Sequence, residues 1–205
     1  ILVSGNGRDY VTFPLVRNDH RNNILHMTIA PAEVSDEVAC EAHELALRLA
    51  EGFTLAGILA IELFVTKDGR VVVNELAPRP HNSGHHTLDA CAADQFQQQV
   101  RIMCNLPPAD TKLLTSCCMA NILGDVWQED GGEPNWLPLQ SHPDAHLHLY
   151  GKKAARKGRK MGHFTVLAAD ADAARIILEN LFGTHLPYAL HNCWIPQIKH
   201  GVMIE

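Results

Sequence analysis

The clearest pattern of apolar and polar positions is a pair of runs rich in Val, Ile, Leu and Phe, Gly57–Val65 and Arg70–Val73, on either side of Asp68-Gly69. Asp-Gly between such runs favours a two-residue turn whose twist suits a hairpin. With Asp68 and Gly69 as the turn, Lys67 faces Arg70, Phe64 faces Val73 and Glu62 faces Glu75, on a face otherwise carrying Ile58, Ala60, Val71 and Val73. Upstream, Ile1-Leu2-Val3 reads as the stub of a strand, paired through Asn6-Gly7 with Tyr10–Phe13 and expected to fray at Ile1, as a fragment that begins inside a strand would. Arg17–Asn23 reads as a polar loop. Ser35 is the expected N-cap of a helix with Val38, Ala42, Leu45, Ala46 and Leu49 on one face, stopped at Gly52.

Downstream, the spacing predicts a helix from Thr87 to Met103, ended by Asn105 and Pro107-Pro108. Thr115–Leu123 reads as a buried strand, Gln128–Asp144 as loop, and His146–Tyr150 and Met161–Ala169 as the arms of a second hairpin. A helix capped by Asp170 or Asp172 and closed by Gly183 follows, and the tail ends in short apolar stretches. A shift in composition places a subdomain boundary near residue 110. The fold class expected is α+β, an antiparallel sheet with packed helices followed by a small β-rich subdomain, divided as 1–110 and 111–205.

The hairpin raises the first chemical question. Two carboxylates directly opposite each other on a partly apolar face repel. They could share a proton, hold divalent cations with Asn74 as a further oxygen, or lie on a solvated sheet face. The loop after Glu75 is Leu-Ala-Pro78-Arg79-Pro80-His81-Asn82-Ser83-Gly84-His85-His86. Its prolines stiffen the presentation of Arg79 at the mouth of the hairpin. A zinc site on His81, His85 and His86 is disfavoured, because Gly84 and the prolines oppose a regular helix and no cysteine stands at ligand spacing.

The chain has 205 residues, 46% hydrophobic and 20% charged, enough for one large or two small domains with a real core. Its net charge of -6 conceals an asymmetry: Lys152, Lys153, Arg156, Lys157, Arg159 and Lys160 are six of 17 basic residues, leaving 11 against 23 acids elsewhere. One basic loop on an acidic protein suits a small phosphorylated ligand better than nucleic acid, with Lys152 and Arg159 as the expected anchors in a flexible loop. The bland alternative is a solubilising hairpin tip. No run approaches the ~18 apolar residues of a membrane span, and cytoplasmic location is the default. Six cysteines lack Cys-x-x-Cys spacing and read as reduced thiols, with Cys117 and Cys118 on opposite faces of a strand.

Asn74-Glu75-Leu-Ala-Pro78-Arg79-Pro80-His81-Asn82-Ser83-Gly84-His85, together with Tyr150-Gly151-Lys152 and Gly158-Arg159-Lys160-Met161-Gly162-His163, resembles the C-terminal part of the N5-carboxyaminoimidazole ribonucleotide synthetases, ATP-grasp enzymes of purine biosynthesis. The resemblance runs from the region of His20 to the strand after Met161. It implies ATP- and bicarbonate-dependent carboxylation of 5-aminoimidazole ribonucleotide through carboxyphosphate, with ATP and Mg2+ as cofactors. Glu62 and Glu75 match the magnesium ligands, and His20, Asn74 and Glu75 the nucleotide site. Arg79, His81 and Asn82 match the residues that hold bicarbonate and carboxyphosphate, and Lys152 and Arg159 those that bind the ribonucleotide phosphate. His86 stands where an aromatic residue is usual.

The resemblance also implies a homodimer, and an N-terminal portion of the same polypeptide that would carry the glycine-rich lobe, without which this chain is expected to be inactive. Neither nucleic acid nor membrane is an expected partner. Two other readings use some of the same residues: another ATP-grasp ligase of purine synthesis, and a non-enzymatic phosphate-binding module.

Overall fold

The structure is a computed structural model that describes residues 1–127, 132–185 and 202–204. Among the described residues ten strands form one sheet in which every pairing is antiparallel: β1 (Leu2–Asn6), β2 (Tyr10–Thr12), β3 (Arg17–Arg21), β4 (Ile24–Ala30), β5 (Ala56–Val65), β6 (Val71–Ala77), β7 (Ser116–Leu123), β8 (Ala145–Leu149), β9 (Lys160–Ala168) and β10 (Val202–Ile204). Their order is β2-β1-β5-β10-β3-β4-β7-β9-β8. β6 pairs with the edge of β5 opposite to β1 and β10, because Ala60 pairs with both Leu2 and Ala77.

Helix α1 (Asp36–Gly52) begins where Ser35 accepts from the Val38 amide, with Asp36 and Glu37 in the first turn. Its small buried residues Val38, Ala42, Ala46 and Ala50 let it approach the β5 face that carries Leu59, Ile61 and Leu63. The other face of β5 places Ile58 and Ala60 against Leu2, Phe13, Ala77 and Cys91. A separate core joins β4, β7 and β9 to α4 (Leu137–Ser141) and α5 (Ala171–His185) through Met27, Cys118, Phe164, Leu139, Leu178 and Phe182. Cys117 lies in a different cluster from Cys118, so the two neighbours do face opposite ways. Cys91, Cys117 and Cys118 are buried free thiols and Cys40 and Cys104 exposed ones, while Cys193 lies outside the described residues.

Several expectations are corrected. β1 is flanked by β2 and β5, and Ile1 is buried, exchanging backbone hydrogen bonds with Ile61 in both directions at 2.9 Å. No strand edge is left open there to fray. Arg17–Arg21 is a strand, not a polar loop. It turns at Asn22 and Asn23, whose φ of 51° and 61° give the tight turn that joins it to β4. The expected helix over Thr87–Met103 is broken into α2 (Thr87–Ala90) and α3 (Gln95–Met103), because Asp94 caps a new start by accepting from the Phe96 and Gln97 amides. Leu137–Ser141 is helical within the expected loop, of which residues 128–131 lie outside the described residues, as do 186–201 of the tail. Helix α5 continues past Gly183 to His185, and Asp170 Oδ1 accepts from the Ala173 amide at 2.7 Å. Among the described residues no helix is long and apolar enough to cross a membrane.

Candidate active site

The β5–β6 hairpin reaches the expected pair by an unexpected route. Its turn has three residues, Lys67-Asp68-Gly69, closed by Thr66 and Arg70: Gly69 N donates to Thr66 O, Thr66 N donates to Arg70 O, and Gly69 adopts φ 81°. Val65 therefore pairs with Val71, Phe64 with Val72 and Leu63 with Val73, each one residue off the register expected from a two-residue turn. A bulge then makes Asn74 the extra residue, and beyond it Glu62 pairs with Glu75. The same shift puts Val72, rather than Val71 and Val73, on the face of Glu62. Val71 instead packs with the α1 core.

Glu62 is 9% exposed, whereas Asn74 and Glu75 are exposed. Asn74 Nδ2 donates to Glu62 Oε2 at 2.9 Å, and His81 Nε2 stands 3.9 Å from Glu62 Oε1. Two carboxylates and an amide oxygen form a hard donor set of the kind that suits Mg2+. These residues fit that ion.

The loop after the hairpin is held by a residue that carries no motif. Gln95, at the start of α3 and fully buried, accepts from His81 N at 2.8 Å, donates to His81 O at 2.8 Å, and lies 2.9 Å from His85 Nδ1. His81 Nδ1 is 2.9 Å from Ser83 Oγ. Arg79 remains exposed, its Nη1 donating to Pro80 O at 3.1 Å. Asn82 Nδ2 is buried and has no hydrogen-bond partner among the described residues, an orphan donor that an anionic oxygen would satisfy. His86 is 1% exposed with Nδ1 2.8 Å from Ser83 O, a hydrogen-bonded imidazole in the core.

His85 continues the chain of contacts into the second half of the protein. It stacks on Phe96 (5.7 Å between centroids) and on His163 (4.8 Å), and His163 stacks on His148 at 4.5 Å with 14° between the rings. Burial, then the neighbouring cations and histidines, push His85 down to about 4 and His163 to about 3, so both are neutral near pH 7. At the end of the stack His148 Nε2 donates to Asp89 on α2 at 3.0 Å, and that bond raises the His148 pKa. Burial works to raise the Asp89 carboxyl, but the bond and charge of His148 outweigh it and hold the group below its ordinary value.

The basic loop between β8 and β9 is pinned rather than free. Gly124 N donates to Arg159 O at 2.8 Å, and Gly158 N to Asp125 Oδ2 at 2.6 Å. A Cβ on Gly124 would overlap the backbone of Arg156. Lys152 Nζ donates to Lys160 O at 2.6 Å and lies 5.3 Å from the centre of the Tyr150 ring, and Arg159 Nη1 donates to Ala154 O at 2.8 Å. Tyr150 OH is in turn 2.9 Å from His163 Nδ1. The residues expected in the hairpin and its loop, Glu62, Asn74, Glu75 and His81, come together directly. Lys152 is linked to them through Tyr150, His163, His85 and Gln95. His20 lies at a bulge in β3, separated from β5 by β10.

Residues 1–96 match the ATP-grasp domain profile and residues 117–176 the phosphoribosylaminoimidazole carboxylase C-terminal domain profile. The N5-carboxyaminoimidazole ribonucleotide synthase of Bacillus subtilis is 45% identical over 172 residues, covering 84% of this chain and 44% of that protein. The phosphoribosylaminoimidazole carboxylase of Schizosaccharomyces pombe is 38% identical, covering 82% and 31%. Among solved structures, an ADP complex of an N5-carboxyaminoimidazole ribonucleotide synthetase superposes with a TM-score of 0.79 at 42% identity, covering 88% of this chain and 47% of the other. The Aspergillus clavatus enzyme with ADP and 5-aminoimidazole ribonucleotide gives 0.79 at 32% identity, covering 89% and 49%. The α+β fold with its antiparallel sheet is that of these structures. The facing glutamates, the loop that follows them and the two matched profiles lead to one conclusion: the chain belongs to the N5-carboxyaminoimidazole ribonucleotide synthetase family of ATP-grasp proteins, and it spans about a third to a half of the length of these relatives.

Proposed function

We propose that this chain is part of an ATP-grasp ligase that carboxylates 5-aminoimidazole ribonucleotide to its N5-carboxy derivative in purine synthesis, using ATP and bicarbonate. The observation that carries the reading is the facing of Glu62 and Glu75 across the bulge at Asn74, with the Pro-Arg-Pro-His-Asn loop directly after it. Residues 1–110 form the C-terminal lobe of the ATP-grasp domain and residues 111–205 a small subdomain bearing the basic loop. The adenine nucleotide is held from this side by His20, Asn74 and Glu75. Glu62 and Glu75 hold magnesium, which when bound offsets the charge of the phosphates during transfer.

Bicarbonate oxygen attacks the γ-phosphorus, ADP leaves, and carboxyphosphate forms. The exocyclic amine of the ribonucleotide then takes the carboxyl group, directly or as carbon dioxide, and phosphate and a proton are released. Arg79, His81 and Asn82 position the anion with donors set on a loop fixed by Gln95. Lys152 and Arg159 bind the 5'-phosphate as point charge and planar fork respectively. The rest of the polypeptide supplies the opposite wall of the nucleotide site, so this chain alone is inactive. The intact enzyme works as a cytoplasmic homodimer.

The test is ADP release by the full-length protein containing this chain, with magnesium and bicarbonate, with and without 5-aminoimidazole ribonucleotide, repeated with Glu75→Gln. Release that requires the ribonucleotide and collapses in the variant is expected. Release indifferent to the ribonucleotide would move the substrate to another amine, and no release from a folded protein would end the ligase reading.

A further inference from the structure

The three side chains Asp89, His148 and His163 bring ligating atoms within 4.8 Å of one another, which at first sight suggests a metal. The ring geometry opposes it. A metal lies in the plane of each imidazole that binds it, about 2 Å from nitrogen. His148 and His163 are cross-strand partners whose rings stack 4.5 Å apart at 14°, so their lone pairs run side by side and do not converge. What the arrangement does provide is a stiff connection. One end is anchored by Asp89 on α2, and the other end meets Tyr150, whose ring lies under the Lys152 ammonium.

We propose that Asp89, His148 and His163 are positioning residues that hold Tyr150, and through it Lys152, in place for the phosphate of the ribonucleotide. The proposal rests on the reading of Lys152 as a phosphate ligand. Its physical basis is that a long lysine has rotamer freedom to lose on binding, and a fixed aromatic platform removes part of that before the ligand arrives. Tyr150 cannot serve as the platform if its own ring swings. Its hydroxyl is tied to His163 Nδ1, His163 is clamped between His85 and His148, and His148 is tied to Asp89. The strut crosses from the loop after the glutamate hairpin to the basic loop, so it also sets their separation.

Steady-state kinetics on the full-length enzyme containing this chain test the proposal, with Tyr150→Phe, His163→Phe, the double variant and Lys152→Ala. Phenylalanine keeps an aromatic ring at either position and removes the hydrogen bond between them. Each single variant should raise KM for the ribonucleotide about tenfold, as expected for a lost hydrogen bond that orders a ligand, while KM for ATP stays within about twofold. The double variant should be no worse than either single one, because both remove the same bond. Equal rises in both KM values together with a lower melting temperature would mark a merely structural role and overturn the proposal. An unchanged ribonucleotide KM in Tyr150→Phe would overturn it too, provided that Lys152→Ala raises that KM. If Lys152→Ala leaves it unchanged, the phosphate reading itself fails and takes the proposal with it.

Discussion

Asn74 Nδ2 donates to Glu62 Oε2 at 2.9 Å from the extra position of a β-bulge, and the same bulge turns Glu75 to face Glu62. One inserted residue therefore both brings the second carboxylate across and neutralises part of the first with an amide dipole. Asn74→Asp replaces that donor by a third carboxylate beside a nearly buried one. The expected result is a loss of about 1–3 kcal/mol of stability without divalent ions, the scale for a buried polar group left unpaired. Urea denaturation with and without Mg2+ checks it, and the loss should shrink when the ion is added.

Gly69 at φ 81° closes the three-residue turn that makes the bulge necessary. Gly69→Ala should cost about 1 kcal/mol through left-handed strain, and Gly69→Asn less, since asparagine tolerates that region. Thermal melts of the two variants give the order directly.

Gly124, directly after β7, lies against the Arg156 backbone of the basic loop. Gly124→Ala forces the Arg156 backbone away and should free residues 152–160, which are rich in lysine and arginine. Trypsin should then cut there faster than in the unaltered protein, while protection of the remaining chain stays the same.

Gln95 meets both backbone groups of His81 and also His85 Nδ1; Gly84 N still donates to His81 O, so Gln95→Leu conserves volume but takes their Gln95 partner from the His81 amide and from His85 Nδ1. The expected cost is about 2–4 kcal/mol. In the full-length enzyme turnover should fall together with stability, whereas KM for the ribonucleotide should move less than in Tyr150→Phe. Denaturation and kinetics on the same preparation decide this.

The buried histidines set a pH slope. His163, held neutral down to about 3, takes up a proton in the unfolded chain near pH 6.5 but not in the folded one. The unfolded state then binds more protons, so stability rises with pH from about 3 to 6.5, and His163 alone contributes about 2 kcal/mol of the difference between pH 5 and 6.5. The Asp89–His148 bond behaves differently on each side. Asp89, held low, loses its contribution as pH falls through its depressed value. His148, held high, contributes fully below the ordinary histidine value and loses it as pH rises through the raised one. Denaturation midpoints at pH 5, 6, 7 and 8 should show the acid-side slope in the native sequence and a shallower one in His163→Phe.

The residues that make the site were legible in unequal degree. Glu62 and Glu75 are readable as a facing pair because a hairpin has few registers, yet they face each other only because a longer turn and a bulge offset each other. Asp-Gly fits a two-residue turn and a three-residue turn alike, and bulges leave no fixed sequence mark. The Asn22-Asn23 turn did leave one, since asparagine tolerates positive φ, but the polar residues of β3 masked the strand around it. His148 opposite His163 depends on a register set across a long loop, and Gln95 depends on where a helix starts after Asp94. Both follow from tertiary packing that local pattern does not encode.

β4 is hydrogen-bonded to β7 along Met27–Ala30, so the strands of the glutamate half and those of the basic-loop half belong to one continuous sheet. From β4 the sheet runs on through β3 and the three-residue β10 to β5, so the Glu62–Glu75 pair and the basic loop ride on one support, and any change in their separation has to bend that sheet or part the short ladders of β10.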